Sequence, residues 1–291
     1  MGTQKKYILV VNPISGDVDK TEICTAVATY AAATDVKIIT FETSGKNDEA
    51  KLRKLYEKYQ PERVLIAGGD GTIKMAGEAL EHQDVIFGIL PAGSANGLSV
   101  DLNLPTTIAD NLPIAFHSDF IAIDMISINN KKSLHLSDLG LNALLVKNYE
   151  KSNIRGMIGY ALQAITTLKE AEPPFEVKIE ANGTTTECIA RMVVIANSQK
   201  YGTGVTINPN GKMDDGMFEI VILKNLDLLV FGKIISGNMP LDSDDVEIIT
   251  TEKAKITTEV PVSFQIDGEY CGAESCLDIH ILQKQMKVAV V

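Results

Sequence analysis

The segment Ala67–Thr72 connects an apolar run, which predicts a buried strand, to a loop with three glycines and one carboxylate, Asp70. Glycine N–H groups can approach phosphate oxygens closely, and a carboxylate can hold a cation. Residues 73–80 predict a helix, whose N-terminus would add its dipole to anion binding. The segment therefore indicates a phosphate site with a metal ligand inside it, and the alternative is a glycine-rich turn with a capping Asp.

Three other loops with suitable chemistry each follow a predicted strand: Asn12–Gly16, Glu42–Gly45 and Leu90–Gly97. They contain hydroxyls, amides and glycines, which are also typical of tight turns and helix caps. Open α/β sheets bind ligands at the carboxyl ends of their strands, so we expect the four loops to converge on one edge. This coincidence favours a nucleotide site.

The elements that would position these loops alternate between short β-branched runs and helical patterns. Strands are predicted at 7–11, 36–41, 63–67 and 85–90, and helices at 20–33, 48–59 and 73–80. This alternation is typical of βαβ units with a parallel sheet. The sequence therefore predicts an N-terminal α/β domain.

From about residue 121 the pattern changes to short β-like runs separated by turn residues. These runs lie at 121–128, 176–181, 189–196, 217–223, 246–251, 253–259 and 262–266. One helix, Arg155–Lys169, is predicted among them and ends before Pro173. The pattern predicts an antiparallel, β-sandwich-like C-terminal domain.

Composition limits the classes of function. The chain has 291 residues, 45% of them hydrophobic, and a net charge of −11, which argues against binding nucleic acid through bulk electrostatics. The four cysteines form no C-x-x-C pair and no signal-peptide pattern precedes the first strand, so we expect a cytoplasmic protein. No apolar run approaches the roughly 20 residues that span a bilayer, so membrane contact would be peripheral.

The chain resembles the bacterial diacylglycerol kinases and related lipid kinases, whose catalytic domain is shared with the sphingosine kinases. Five motifs in order carry the resemblance: Asn12–Gly16, Gly68–Thr72, Leu90–Asn96, Asp214–Phe218 and Asp267–Glu269. The resemblance implies a fold like that of NAD kinase and diacylglycerol kinase. It implies an ATP-binding domain over 1–122, with 283–291 returning to it, and a β-rich domain over 123–282 that lines the acceptor cleft.

The implied activity is transfer of the γ-phosphoryl group of ATP to a diacylglycerol-like or sphingoid-like lipid hydroxyl, with ATP and Mg²⁺ as cofactors. The resemblance assigns one set of residues to nucleotide binding: Asn12, Pro13, Ile14, Ser15, Gly16, Thr43, Gly68, Gly69, Asp70, Gly71, Thr72, Ile73, Lys74, Ser94 and Asn96. A lipid partner with peripheral membrane contact is expected, and a homodimer is compatible with this reading.

The resemblance also implies a structural magnesium site and a catalytic base. Asp215 would give its carboxylate to the metal, and Lys212 and Met217 their backbone carbonyls. Glu269 matches the acidic residue taken as proton acceptor, beside Asp70 as the second catalytic residue. From the residues alone, both Asp-Gly sequences at these sites are also typical of turns.

Three positions depart from the family pattern. Lys74 stands where the family usually has Asn, Ser94 where it usually has Thr, and Gly97 where it usually has Asp. Ser94 keeps the hydroxyl and Lys74 could add a phosphate contact. Gly97 removes a carboxylate, which bears either on activity or on how that loop is anchored.

Two alternatives remain open. An NAD kinase pairs the same glycine-aspartate loop with a β-rich second half, but Leu90–Gly97 does not resemble its corresponding segment. A catalytically silent nucleotide- or lipid-binding regulator is the other alternative, because of Lys74 and Gly97. The apolar runs Arg155–Leu162 and Leu226–Phe231 could face lipid or belong to a core.

Overall fold

The computed structural model describes residues 4–16, 19–140, 143, 173–200, 206–225 and 244–291. The predicted helix Arg155–Lys169 and the apolar runs Arg155–Leu162 and Leu226–Phe231 lie outside the described residues. The chain divides into two compact units, Met1–Ile123 with Lys284–Val291, and Asp124–Gln283. Within the described ranges, no helix is long and apolar enough to cross a membrane.

Strands and helices alternate along the first unit: β1 (Lys5–Val11), α1 (Lys20–Ala33), β2 (Val36–Glu42), α2 (Asp48–Tyr59), β3 (Arg63–Gly68), α3 (Asp70–Ala79), β4 (Ile86–Pro91), α4 (Gly97–Asp101) and α5 (Ile108–His117). The strands pair in parallel in the order β4, β3, β1, β2. The C-terminal end of β14 (Glu269–Ala289) joins this sheet, since Lys287 and Val288 pair in parallel with β4. The prediction that the last strand returns to the N-terminal sheet is confirmed.

The central strands of the parallel sheet have mostly apolar side chains on both faces. All six residues of β3 are buried, as expected of a central parallel strand covered on both sides. On α1, the buried residues Ile23, Val27 and Ala31 recur every four positions and pack in one core cluster with the sheet. The predicted helices 20–33 and 48–59 are confirmed with the same bounds.

Two helices of the first unit were not predicted, and one starts earlier than predicted. α3 begins at Asp70 rather than at residue 73, because Gly69 takes an extended N-cap conformation. α5 contains Pro113, a helix breaker in most contexts, which hid the pattern. Its start signal was present, since the Thr107 hydroxyl accepts a hydrogen bond from the Asp110 N–H as an N-cap.

Where the structure describes it, the second unit contains antiparallel strands: β5 (Phe120–Ile128), which begins in the first unit, β6 (Lys131–Ser133), β7 (Leu136–Gly140), β8 (Phe175–Ala181), β9 (Thr184–Ala190), β10 (Met192–Ala196), β11 (Phe218–Leu223), β12 (Val246–Thr251), β13 (Lys253–Ile266) and most of β14. They pair in the order β12, β11, β10, β7, β13, β14, with β8 beside β13 and β9 beside β8. The predicted α/β unit followed by an antiparallel β unit is confirmed.

Three predicted strands of the second unit were wrong in extent. The predicted strand 189–196 is divided between β9 and β10 around Arg191, because β9 pairs with β8 while β10 pairs with β7 and β11. The predicted strands 253–259 and 262–266 form one strand, β13, whose register shifts between Thr257 and Val262. Pro261 lies in that shift, where a residue without an N–H is tolerated.

Candidate functional site

The loops predicted to bind phosphate lie at the carboxyl ends of β1, β2, β3 and β4. Because these strands are parallel and adjacent, the loops leave the sheet at the same edge. Hydrogen bonds within the first unit connect these loops to one another and to the sheet.

The loop after β1 is held through both ends of the Asn12 side chain. Its amide nitrogen donates to the Thr72 hydroxyl at 3.0 Å, and its amide oxygen accepts from the Ile14 N–H at 3.2 Å. The first bond connects this loop to the first turn of α3. Ile14, at the tip, is 89% exposed, so Asn12 shapes the loop and leaves its tip available to a ligand.

A buried lysine connects the loop after β1 to the loop after β4. Lys20, the first residue of α1, is 7% exposed. Its ammonium donates to the Ser15 carbonyl at 2.5 Å and to the Ala92 carbonyl at 2.8 Å. The Ser15 hydroxyl also donates to the Ala92 carbonyl, at 2.9 Å. Burial lowers the pKa of Lys20, and these charge-assisted bonds fix the two loops relative to each other.

Glycines allow three of these loops to touch through their backbones. A Cβ atom on Gly93 would lie 2.4 Å from the Gly69 Cα, and one on Gly16 would lie 2.9 Å from the Gly93 carbonyl carbon. Gly16 also has a φ of +57°, which side chains disfavour. At Gly71 an added Cβ would meet open space. The predicted convergence is confirmed for the loops after β1, β3 and β4.

Asp70 anchors the loop after β4 in this structure. Its two carboxylate oxygens accept hydrogen bonds from the Gly97 N–H at 2.8 Å and the Leu98 N–H at 3.0 Å. These N–H groups begin the short helix α4 and have no partner within that helix. The Asp70 carboxylate therefore holds this loop, in which Gly97 stands at the position where the resembled family usually has Asp. A role for Asp70 in cation binding stays a prediction.

Three further predicted nucleotide-binding residues, two in the loop after β4 and one in α3, differ in their accessibility. Asn96 accepts from the Gly93 N–H at 2.7 Å and donates to the Gly93 carbonyl at 2.9 Å. Its side chain therefore closes the loop on itself. Ser94, at the tip, is exposed, and Lys74 is half-buried one turn into α3.

The loop after β2 is stabilised by the buried carboxylate of Asp48. Thr43 joins it to the sheet, because its N–H donates to the Val11 carbonyl at 2.8 Å. Asp48 accepts from the N–H groups of Ser44 and Gly45, at 2.9 and 2.6 Å, and from the Lys51 ammonium at 3.0 Å. Burial alone would raise the pKa of Asp48, but these donors outweigh it and set the pKa at about 2.

This depressed pKa predicts a pH-dependent stability. The folded state favours ionised Asp48, so its contribution is present above the ordinary value of 3.8 and is lost as the pH falls towards 2. We expect Asp48→Asn to lower the free energy of unfolding by about 1–3 kcal/mol at neutral pH. The difference from the wild type should shrink below pH 4. Urea unfolding between pH 7 and 3 measures it.

The matched control is Glu49→Gln, since Glu49 is the exposed neighbour of Asp48 on the same helix. It should change stability little across this range. A difference between Asp48→Asn and the wild type that stays constant from pH 7 to pH 3 would contradict the assignment of an ionised, hydrogen-bonded carboxylate.

The predicted magnesium ligands lie in a turn of the second unit. The Gly216 N–H donates to the buried Asp124 carboxylate at 2.7 Å, and the Asp124 N–H donates to the Met213 carbonyl at 2.6 Å. Asp215 is exposed, and its Oδ1 accepts from the Met217 N–H at 3.0 Å. Asp124 thus holds the turn through its carboxylate and its N–H group. The sequence analysis did not assign this role to Asp124.

The oxygen atoms of this turn fit the chemistry of magnesium. Mg²⁺ prefers carboxylate and carbonyl oxygens, which Asp215, Lys212 and Met217 would supply. Across the residues that the structure describes, no group of three His, Cys, Asp or Glu side chains could hold a metal ion by itself. A cation here would therefore depend on backbone carbonyls.

Glu269 follows a two-residue hairpin turn in the second unit. Asp267 and Gly268 both have positive φ, +50° and +83°, as in a type I′ turn. Glu269 is exposed and begins β14 opposite Ile266. The turn interpretation is confirmed, while the role of Glu269 as proton acceptor stays a prediction.

The hairpin turn is anchored by the Asp267 carboxylate. It accepts from the N–H groups of Leu134 and His135, both at 2.9 Å, and from the Ser133 hydroxyl at 3.0 Å. The Asp267 N–H donates to the Leu136 carbonyl at 3.0 Å. The turn that presents Glu269 is therefore fixed to the segment between β6 and β7.

Comparison with protein-family models matches both parts of the chain. A diacylglycerol kinase catalytic domain model matches residues 6–128. A model described as the YegS C-terminal NAD kinase beta sandwich-like domain matches residues 137–290. Together they cover both units except for residues 1–5, 129–136 and 291.

Individual relatives agree with these matches. The chain is 25% identical to the lipid kinase YegS of Escherichia coli (strain K12), over 77% of each chain. A solved diacylglycerol kinase from Bacillus anthracis str. Sterne is 22% identical with a TM-score of 0.76, covering 99% of this chain and 97% of that one. A further structure from the same strain is 28% identical with a TM-score of 0.79, at the same coverage.

Proposed function

The chain belongs to the bacterial diacylglycerol and lipid kinase family, and from this premise we propose that it transfers the γ-phosphoryl group of ATP to a lipid hydroxyl. The observation that supports this most directly is the meeting of three loops through glycine backbones at the carboxyl edge of the sheet. The N-terminus of α3 lies in the same place. Backbone N–H groups and a helix dipole at one point suit the phosphates of a nucleotide.

The proposed nucleotide contacts come from the loops Asn12–Gly16, Gly68–Lys74 and the exposed Ser94, with Thr43 and Asn96 beside them. Ile14 at its exposed tip suits a weakly polar part of the nucleotide. Phosphoryl transfer asks for aligned oxygens and stabilised charge more than for covalent help from the protein. Loops whose relative positions are fixed by Lys20 and Asp70 meet that requirement.

In the proposed reaction Glu269 accepts the proton of the lipid hydroxyl. The hydroxyl oxygen bonds to the γ-phosphorus, the bond from that phosphorus to the β–γ bridging oxygen breaks, and ADP leaves with the electron pair. A loose transition state keeps the hydroxyl neutral until late, so a carboxylate suffices as base. Mg²⁺ bound with ATP would neutralise charge on the β- and γ-phosphates.

The acceptor is proposed to be diacylglycerol-like or sphingoid-like, with peripheral contact to the membrane that holds it. With a net charge of −11, attraction to anionic lipid would have to be local. The match to a diacylglycerol kinase catalytic model over residues 6–128 favours a lipid acceptor over the NAD kinase alternative. The regulator alternative rests on two positions, Lys74 and the absence of a carboxylate at Gly97.

The test is transfer of radiolabelled phosphate from ATP to a panel of lipids, with NAD included as an acceptor. Labelled lipid supports the proposal and identifies the acceptor class. Labelled NAD with unlabelled lipid would contradict it. ATP binding without transfer to any acceptor would favour the regulator.

We further propose that Lys212, Asp215 and Met217 hold a structural Mg²⁺. If so, Asp215→Ala should lower the melting temperature in magnesium but change it little in chelator, because an ion stabilises only a protein that can bind it. Differential scanning fluorimetry in both buffers measures this. Asp214→Ala is the matched control, since Asp214 is the exposed neighbour and should shift melting less. Equal shifts of Asp215→Ala in the two buffers would remove the metal assignment.

A further inference from the structure

A buried carboxylate and a buried amide face each other next to the hairpin turn that presents Glu269. Asp138 on β7 and Gln265 on β13 are opposite each other in the strand register. They are 0% and 1% exposed. The Gln265 amide nitrogen donates to the Asp138 Oδ2 at 2.5 Å, so the side chains are bonded across the two strands.

The other end of the Gln265 amide contacts the turn itself. Its Oε1 accepts the Gly268 N–H at 2.7 Å. Gln265 therefore connects Asp138, inside the unit, to the residue directly before Glu269. This contact is additional to the bonds that the Asp267 carboxylate accepts from the Leu134 and His135 N–H groups.

The Asp138 carboxylate and the Gly268 N–H each hold one end of the Gln265 amide. A carboxylate can only accept hydrogen bonds, so the NH₂ end of the amide must face Asp138. The carbonyl end is then left facing the turn, where it can accept from the Gly268 N–H. With an apolar residue at 138, the NH₂ end of the amide would lose its short bond and keep only a 3.5 Å contact with the Leu136 carbonyl, so the amide would be held less firmly.

The direction of Glu269 depends on this backbone contact. Glu269 is exposed, so the direction of its side chain is set mainly by the backbone from which it extends. A fixed Gly268 N–H restricts the Asp267–Gly268 peptide, one residue before Glu269. Small displacements of a reacting group are costly in rate, since about 1 Å can lower it by roughly 10².

We propose that Asp138 is a positioning residue for the phosphoryl transfer, acting through Gln265 on the turn that carries Glu269. The inference rests on the proposed function, in which Glu269 accepts the proton of the acceptor hydroxyl. It also gives a reason for a fully buried carboxylate at 138, because apolar residues usually replace such groups without loss of stability.

The test replaces the pair by apolar residues, Asp138→Val with Gln265→Met, so that no buried charge remains without its partner. We expect kcat to fall about tenfold with KM for ATP within about twofold and with melting close to that of the wild type. The matched control is Thr251→Val, which removes a buried hydroxyl of the same unit bonded to Asn182. It should lower melting without changing kcat, and an equal fall in kcat would contradict the inference.

The decisive measurement repeats the paired change in a Glu269→Gln background. If Asp138 acts through Glu269, kcat should fall no further there, because the group being positioned has lost its function. A tenfold fall in both backgrounds, or in neither, would overturn the inference. Wild-type kcat in Glu269→Gln alone would instead overturn the base assignment of the proposed function, and with it this inference.

A second variant keeps the inference testable if the paired change prevents folding. Asp138→Asn retains the shape but replaces the carboxylate acceptor by a neutral amide, which holds the NH₂ end of Gln265 less firmly. We expect faster amide hydrogen exchange at Gly268 and a several-fold lower kcat. Unchanged exchange and kcat in this folded variant would contradict the positioning role.

Discussion

Asp70→Asn is expected to lower kcat for phosphoryl transfer by at least about 10², with the protein still folded. The substitution keeps the size of the side chain and removes the charge that, in the proposed function, helps to position the metal-bound phosphates. It also leaves one amide oxygen where two carboxylate oxygens now accept from Gly97 and Leu98. The loss of one N-cap bond costs about 0.5–2 kcal/mol, a modest shift in melting.

The measurement is kcat beside thermal melting of the same preparation. Retention of more than about a tenth of wild-type kcat, a change in activation free energy below about 1.4 kcal/mol, would contradict the assignment of Asp70. A collapse of melting would mean that the carboxylate acts mainly in folding.

A matched control separates charge from loop anchoring. Asn96→Ala removes two hydrogen bonds to Gly93 in the loop that Asp70 also holds, but it removes no charge. We expect it to raise KM for ATP while kcat stays within about tenfold. A loss of kcat equal to that of Asp70→Asn would show that Asp70 works by holding the loop after β4.

Local patterns explain which parts of the fold could be predicted from the sequence. α1 and α2 were predicted with their observed bounds, because each has a polar start, an apolar stripe and a clear stop. α4 has five residues and α5 contains Pro113, so neither produces enough helical pattern to detect. The break between β9 and β10 depends on partner strands that are distant in sequence, and no local signal marks it.

The same distinction applies to the candidate site. The loops could be predicted because parallel strands must present their carboxyl ends at one edge, whatever the side chains are. The hydrogen bonds that fix these loops could not be predicted, because their partners are distant in the sequence. Lys20 donates to the Ala92 carbonyl, 72 positions away, and Asp70 accepts from the Gly97 N–H, 27 positions away. Asp138 and Gln265 are 127 positions apart, and neither belongs to a recognisable motif.

Glu269→Gln is expected to lower kcat by roughly 10² or more with nucleotide affinity almost unchanged. The amide keeps the shape of the side chain but cannot accept a proton, and loss of a general base typically costs 10² to 10⁴ in rate. The side chain is exposed and follows a turn held by Asp267, so the substitution should leave folding intact. Steady-state kinetics with the lipid acceptor, beside direct ATP titration, measures both quantities.

Glu274→Gln provides the matched control, because Glu274 lies on the same strand, five residues further along, and is given no role in transfer. Its kcat should equal that of the wild type. If Glu269 is only the residue after a hairpin turn, Glu269→Gln should keep kcat within a few-fold as well. A fall in ATP affinity with kcat preserved would place Glu269 beside the nucleotide instead. If the wild type binds ATP but transfers phosphate to no lipid, Glu269 has no proton to accept and the regulator alternative replaces the kinase.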